Sequence, residues 1–93
     1  MAYQDLLSID LRRIVKSIIN YVSREMPNLT MCERVLEVSL EPDLDLLYVR
    51  FNEERDYAYG EYIGNYIHAF IRDNRVVAIE ITPFSKFIKE FKI

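Results

Sequence analysis

Few side chains in this sequence could carry out acid–base or metal chemistry, and the densest group of them is a short turn. Asp43 and Asp45 lie in a Pro-Asp-Leu-Asp stretch close to Glu41. Ca²⁺ takes about six to eight oxygen ligands, and its loops bend at a glycine, which this turn lacks. Proline in a turn and aspartates bonded to nearby backbone amides explain the same residues without a ligand. We therefore interpret Pro42, Asp43 and Asp45 as a structural turn and expect no metal. An enzyme or metal-binding protein that uses the Asp43/Asp45 turn is the third functional alternative.

The only histidine, His68, and the only cysteine, Cys32, are far apart in the sequence. A general base needs a group to activate and a second group that orients it, and no sequence neighbour of His68 supplies either. A pair assembled by the fold stays open as an alternative. A single cysteine excludes an internal disulfide and a cysteine-built zinc site. We expect no catalytic residues and no cofactor.

Glu80 is a carboxylate inside the strand-like run Ala-Ile-Glu-Ile, where it points opposite to Ile79 and Ile81. If that face is covered, Glu80 needs a basic partner such as Arg50 or Arg72, because a buried unpaired carboxylate is costly. We interpret Glu80 as half of an ion pair that specifies the fold, and a site carboxylate is the alternative.

Tyrosines are concentrated between residues 57 and 66, where Gly60 and Gly64 interrupt them. Tyrosine supplies rigid contact area with a hydroxyl group, as interface anchors do. Stacking on nucleic-acid bases is the alternative, but the flanking carboxylates would repel phosphates, so we expect no direct nucleic-acid partner. The predicted partner-binding residues are Glu53, Glu54, Asp56, Tyr57, Tyr59, Glu61, Tyr62 and Tyr66.

Charge is distributed unevenly along the 93 residues, whose formal net charge is −3. The segment 31–61 holds nine acidic and three basic side chains, and therefore all of the net negative charge. An acidic patch can steer a basic protein towards it by long-range attraction. We expect a small basic protein as a partner, and an ordinary solvated surface is the alternative.

The hydrophobic pattern changes from helical to alternating after the first third of the chain. Apolar residues at helical spacing predict an amphipathic helix over 5–25 that ends before Pro27. Alternation then predicts strands over 36–40 and 47–51, joined by the turn at Pro42. An exposed connection should cover residues 53–61. Residues Tyr62–Ile71 and Val76–Ile81 should form two further strands around an Asp73-Asn74 turn, and Thr82 should cap a C-terminal helix.

This order of elements predicts a single α+β domain over residues 1–93. We expect a four-stranded antiparallel sheet over residues 35–81, arranged as a meander of hairpins because the connections are short. The long N-terminal helix should cover one face, with a short helix over residues 83–91 against it. Two edge strands and many tyrosines favour a homodimer with no small-molecule chemistry as the second functional alternative.

The run from Glu41 to Phe51, Glu-Pro-Asp-Leu-Asp-Leu-Leu-Tyr-Val-Arg-Phe, resembles the opening signature of a small prokaryotic family known as domain of unknown function 2283. The run from Asp73 to Ile81, followed by Ser85 and Lys86, is similar to the closing run of that family. Together these stretches span about residues 38–86, and the predicted helix over 5–25 lies outside the pattern. The sequence departs from it at Leu40, Asn74 and Ala78, where the family has an aromatic residue and two glycines.

The resemblance implies a small antiparallel sheet, with Pro42, Asp43, Asp45, Tyr48 and Glu80 as its structural signature in this sequence. It also implies an antitoxin-like role, because such proteins are often encoded beside small toxin-like ribonucleases. It supplies no catalytic residue. No apolar run approaches the roughly 18–20 residues that cross a bilayer, and no basic region opens the chain. We therefore expect a cytoplasmic protein with no membrane partner.

Overall fold

The computed structural model describes residues 11–31, 34–53 and 56–91. These residues form helices α1 (Leu11–Glu25) and α2 (Phe84–Phe91), strands β1 (Thr30–Met31), β2 (Glu37–Glu41), β3 (Leu46–Arg50), β4 (Tyr59–Ile63), β5 (Ile67–Arg72) and β6 (Arg75–Ile81), and one 3₁₀ turn (Pro42–Leu44). The predicted α+β class is confirmed. Neither helix is long and apolar enough to cross a membrane within this part of the chain.

The described sheet has six strands, so the prediction of four was wrong. The segment Tyr62–Ile71, predicted as one strand, folds into the hairpin of β4 and β5. Gly64 opens the turn with a φ of 65°, which glycine adopts without steric strain. β4 begins at Tyr59, inside the segment predicted as an exposed connection. The prediction missed this part of the strand because Gly60 and Glu61 give it a weak strand propensity.

The strand order β2-β3-β6-β5-β4 differs from the predicted meander. β3 pairs with β6 rather than with β4, and β4 lies at the far edge of the sheet, where it pairs with β5. The physical reason is burial, since β6 carries five buried residues out of seven and takes the centre. β1, which precedes the first predicted strand, pairs with β6 in parallel, so the sheet is not wholly antiparallel.

Both helices cover the same face of the sheet. α1 buries Ile14, Val15, Ile18 and Val22, and α2 buries Phe84 and Phe87. These side chains share one core with the inward residues of β3, β5 and β6, including Leu47, Ile79 and Ile81. Helices and sheet therefore form two layers around one core. The predicted helix is seen over Leu11–Glu25 and ends before Pro27, while residues 5–10 lie outside the described residues.

Asp45 connects the turn after β2 to the start of α2. Its backbone oxygen accepts a hydrogen bond from the Phe84 amide at 2.7 Å, and its Oδ1 accepts one from the Ser85 amide at 2.9 Å. The Ser85 hydroxyl donates to the other carboxylate oxygen. The helix begins at Phe84, after a cis Thr82–Pro83 peptide, so the prediction that Thr82 caps it was wrong. Asp45 satisfies the first amides of the helix instead.

Candidate interaction face

The second face of the sheet is the candidate functional surface, because both helices lie on the opposite side. The strand register places Tyr48 beside Glu80, Glu80 beside His68, and His68 beside Tyr62. Residues directly opposite one another on neighbouring strands point to the same face. The next row along contains Arg50, Ala78, Phe70 and Gly60. We call these two rows the open face, and Ala78 is the one buried residue among their members.

Four rings form a continuous strip on the open face. The Tyr62 and His68 rings stack at 4.2 Å between centroids with 9° between planes. The His68 ring lies 4.5 Å from that of Phe70, and the Tyr57 ring lies 4.6 Å from that of Phe70. Tyr57 is 53% exposed and Tyr62 is 72% exposed. We call Tyr57, Tyr62, His68 and Phe70 the aromatic strip.

Gly60 provides the space that the His68 ring occupies. A Cβ atom at position 60 would lie 2.4 Å from the Nε2 atom of His68, which is closer than two such atoms can approach. Glycine at this point of β4 therefore lets the imidazole lie across the strand and reach the Tyr62 ring. In the sequence, Gly60 looked only like an interruption among tyrosines.

Glu80 lies half-buried in the middle of the open face, with Tyr48 and His68 as its cross-strand neighbours. The predicted ion pair to Arg50 or Arg72 is not formed. The Arg50 Nε atom lies 3.0 Å from Glu37 Oε1, and the Arg72 Nε atom lies 3.9 Å from Asp73 Oδ2. Glu37 is directly opposite Arg50 on β2, whereas Glu80 is one residue row away, so Glu37 is the nearer carboxylate. Within residues 11–31, 34–53 and 56–91, the Glu80 carboxylate has no hydrogen bond or ion pair.

The sheet divides the predicted tyrosines between its two faces. Tyr57 and Tyr62 belong to the aromatic strip. Tyr59 and Glu61 pair with the inward residues Ile71 and Ala69, so they point to the helix side of β4. There they border a cavity of about 510 Å³ together with the loop that follows α1. Tyr59 and Tyr62 are therefore exposed on opposite faces of one strand.

Tyr66 lies on the helix side as well. Its hydroxyl donates a hydrogen bond of 2.9 Å to Glu90 Oε1, and its ring meets the ring of Phe87 edge-on at 6.2 Å. The hydrogen bond to the Glu90 carboxylate is the main reason that the pKa of Tyr66 is raised above its ordinary value, with loss of water contact and the charge of Glu90 adding to it. The Tyr66 hydroxyl is thus already engaged within the chain.

Two predicted acidic residues lie along the rim of the open face. Glu53 and Asp56 are exposed in the connection from β3 to β4, and Glu54 lies outside the described residues. At one end of this connection, Arg50 Nη1 donates to the backbone oxygen of Asn52 at 2.7 Å. At its other end, Tyr57 packs on Phe70. The described residues at the two ends of this connection therefore border the same face that carries Glu80.

The remaining candidates for chemistry are dispersed. Asp43 is exposed, while the carboxylate of Asp45 is bonded to Ser85. Cys32 lies outside the described residues. No three His, Cys, Asp or Glu side chains come close enough to hold a metal ion in the part of the chain that the structure describes.

No protein-family model, curated protein or solved structure matches this chain. The resemblance to domain of unknown function 2283 stays a prediction. The residues that suggested this resemblance lie together in space, because the Asp45 carboxylate accepts a hydrogen bond from Ser85, and Tyr48 of β3 is paired with Glu80 of β6. The two quoted stretches thus form one structural unit at the centre of the sheet.

Proposed function

We propose that this chain is a small, non-enzymatic protein-interaction module that binds a basic partner protein through the open face. The observation that carries the proposal is the aromatic strip beside Glu80, whose carboxylate has no ion pair or hydrogen bond among the residues that the structure describes. Aromatic side chains dominate the energetics of protein interfaces, and unpaired carboxylates complement cationic groups. Neutralisation of a small basic ribonuclease, as the family resemblance implies, is the specific form of this proposal.

The acidic rim supports a basic partner. Glu53 and Asp56 border the open face and are exposed to solvent. Rim charges mainly increase the association rate and exclude partners of like charge, whereas the central rings supply most of the affinity. We therefore assign the carboxylates of the rim to steering and the aromatic strip to holding the partner.

The test is an affinity capture from extract of the native host with the tagged protein, followed by mass spectrometry and measurement of the Kd for the captured protein. We expect a small basic protein at near-stoichiometric amount. Tyr62→Ala should weaken its binding at least tenfold, because interface tyrosines contribute on the order of 2 kcal/mol. Tyr59→Ala is the matched control, since it removes a tyrosine from the opposite face of the same strand.

Charge reversal tests the rim separately. The double variant Glu53→Lys with Asp56→Lys should lower the association rate, whereas Glu61→Lys, on the other face, should change it little. Wild-type affinity in both the Tyr62 and the rim variants would contradict the proposal. Equal losses in the Tyr59 and Tyr62 variants would move the binding surface away from the open face.

A homodimer is the second candidate function, and the exposed edge strand β4 favours it. Four of the five β4 residues are exposed, and an unpaired edge can accept a strand from a second copy. Light scattering on the purified protein distinguishes the two candidates. A dimer that captures no other protein supports self-association, and a monomer that captures a basic protein supports the first proposal.

A further inference from the structure

We infer that Glu80 and the neighbouring stack of Tyr62 on His68 form a binding site for an arginine side chain of the partner. This inference rests on the proposed function and names the chemical group that the open face recognises. A guanidinium group is planar, so it can lie on an aromatic ring while it donates two parallel hydrogen bonds to a carboxylate. The open face presents both of these acceptors side by side.

The register places the two acceptors within reach of one side chain. Glu80 and His68 are directly paired on β6 and β5, and His68 and Tyr62 are directly paired on β5 and β4. Paired residues of an antiparallel sheet have Cβ atoms about 4.5–5.5 Å apart. A cation interacts with a ring when it lies within about 6 Å of its centroid. A guanidinium bonded to Glu80 therefore lies close to the ring surface that begins at His68.

The state of the carboxylate favours a cationic occupant. Glu80 is half-buried between Tyr48 and His68. The two arginines predicted as its partners form ion pairs elsewhere, Arg50 with Glu37 and Arg72 with Asp73. A partly desolvated carboxylate gains more from a cation than a fully hydrated one does. Arginine suits this position better than lysine, because an ammonium group is more strongly hydrated and cannot stack.

The experiment is a titration of ¹⁵N-labelled protein, followed by amide chemical shifts, with the peptide acetyl-Gly-Arg-Gly-amide. The same peptide with lysine in place of arginine is the matched probe. We expect the arginine peptide to shift the amides of β4, β5 and β6 around Glu80, and to bind several-fold more tightly than the lysine peptide. Equal binding of both peptides would overturn the inference.

Two pairs of variants locate the site. Glu80→Gln should raise the Kd of the arginine peptide about tenfold, because hydrogen bonds to a charged group are roughly twice as strong as neutral ones. Glu61→Gln, which removes a carboxylate from the opposite face, should leave the Kd unchanged. Tyr62→Ala should raise the Kd about two- to fivefold through the lost ring, and Tyr59→Ala should not. An unchanged Kd in Glu80→Gln, with an amide spectrum that shows a folded protein, would overturn the inference.

The same variant separates this inference from the proposed function. If Glu80→Gln still captures the basic partner with wild-type affinity, the arginine site is wrong while the interaction module stands. If the arginine peptide binds at Glu80 but the host extract yields no basic protein, the proposed function fails and the arginine site stands.

Discussion

The position of the His68 ring depends on the absence of a side chain at Gly60. A Cβ atom at position 60 would lie 2.4 Å from the Nε2 atom of His68, so the imidazole ring occupies space that a side chain there would need. This placement lets the imidazole ring stack on Tyr62. A glycine in a strand loses more conformational freedom on folding than alanine does, so it weakens the strand slightly. The space it leaves allows the aromatic strip to continue without a break from β5 to β4.

Gly60→Ala should displace the His68 ring and disrupt its stack with Tyr62. In the wild-type background we expect a net destabilisation of up to about 1 kcal/mol, because the loss of ring packing exceeds the gain in backbone entropy. In a His68→Ala background the same substitution should stabilise the protein by about 0.5 kcal/mol, since the clash is absent. Urea unfolding of the four proteins in this double-mutant cycle measures the coupling. Equal effects of Gly60→Ala in both backgrounds would show that the ring does not depend on the glycine.

Tyr66 is the residue whose ionisation the fold alters. Its hydroxyl donates to Glu90, so removing that proton breaks the bond, and the pKa of Tyr66 lies above the ordinary value of 10.0. A group whose pKa is raised on folding stabilises the protein below its unfolded pKa. That contribution is therefore present below pH 10 and is lost as the pH rises through the higher folded pKa.

Absorbance titration of the phenolate band checks this prediction. Tyr66→Phe should remove one tyrosine that ionises above pH 10, and Glu90→Gln should bring the pKa of Tyr66 back towards 10.0, because the carboxylate is gone. If Tyr66→Phe instead removes a tyrosine with an ordinary pKa, the hydrogen bond to Glu90 does not persist in solution.

The helices and strands with a strong hydrophobic periodicity were predictable from the sequence. α1 has a regular apolar stripe, β2 and β3 alternate around a proline turn, and α2 repeats its phenylalanines at helical spacing. The hairpin of β4 and β5 was missed because its turn contains a single glycine and because β4, unlike β5, does not alternate. β1 is only two residues long, which is too short to show any period. Its pairing depends on β6, a partner far away in the sequence.

The candidate site was predicted only in part, because its members come from four strands. Tyr57 and Tyr62 were predicted as partner-binding residues, and the structure places them in the aromatic strip. Phe70 was not predicted, although the alternation of His68 and Phe70 with Ile67, Ala69 and Ile71 indicates a second sheet face. The spacing of residues within β5 cannot show which residues of β3 and β6 share this face with His68 and Phe70, because the strand order determines those neighbours.

The contact of Asp45 with α2 yields a prediction for these elements. Asp45→Ala should destabilise the protein by about 1–3 kcal/mol, because the Ser85 amide and hydroxyl lose their acceptor and alanine tolerates the positive φ of this position poorly. Asp45→Asn should cost less, since asparagine adopts this backbone conformation and keeps one acceptor. Asp43→Ala, at an exposed position of the same turn, is the control and should change stability by less than about 0.5 kcal/mol. Equal unfolding free energies for the two alanine variants in urea would contradict the capping role.

For the whole molecule, the formal net charge of −3 and the acidic rim predict a salt-dependent encounter with a basic partner. Between about 0.05 and 0.5 M NaCl we expect the association rate to fall roughly tenfold, since the Debye length shrinks from about 13 Å to about 4 Å. The dissociation rate should change much less, because the central contacts are largely shielded from salt. Surface plasmon resonance with the captured partner measures both rates. A dissociation rate that carries most of the salt effect would argue against steering.

The central position of β6 has a consequence for the order in which the molecule is made. β6 pairs with β1, β3 and β5, yet its residues 75–81 follow all of those strands in the sequence. During translation, α1 and the first five strands emerge before the strand that joins them, so their apolar side chains stay uncovered until β6 has left the ribosome. We expect a nascent chain stalled before residue 75 to remain unfolded and to bind chaperones.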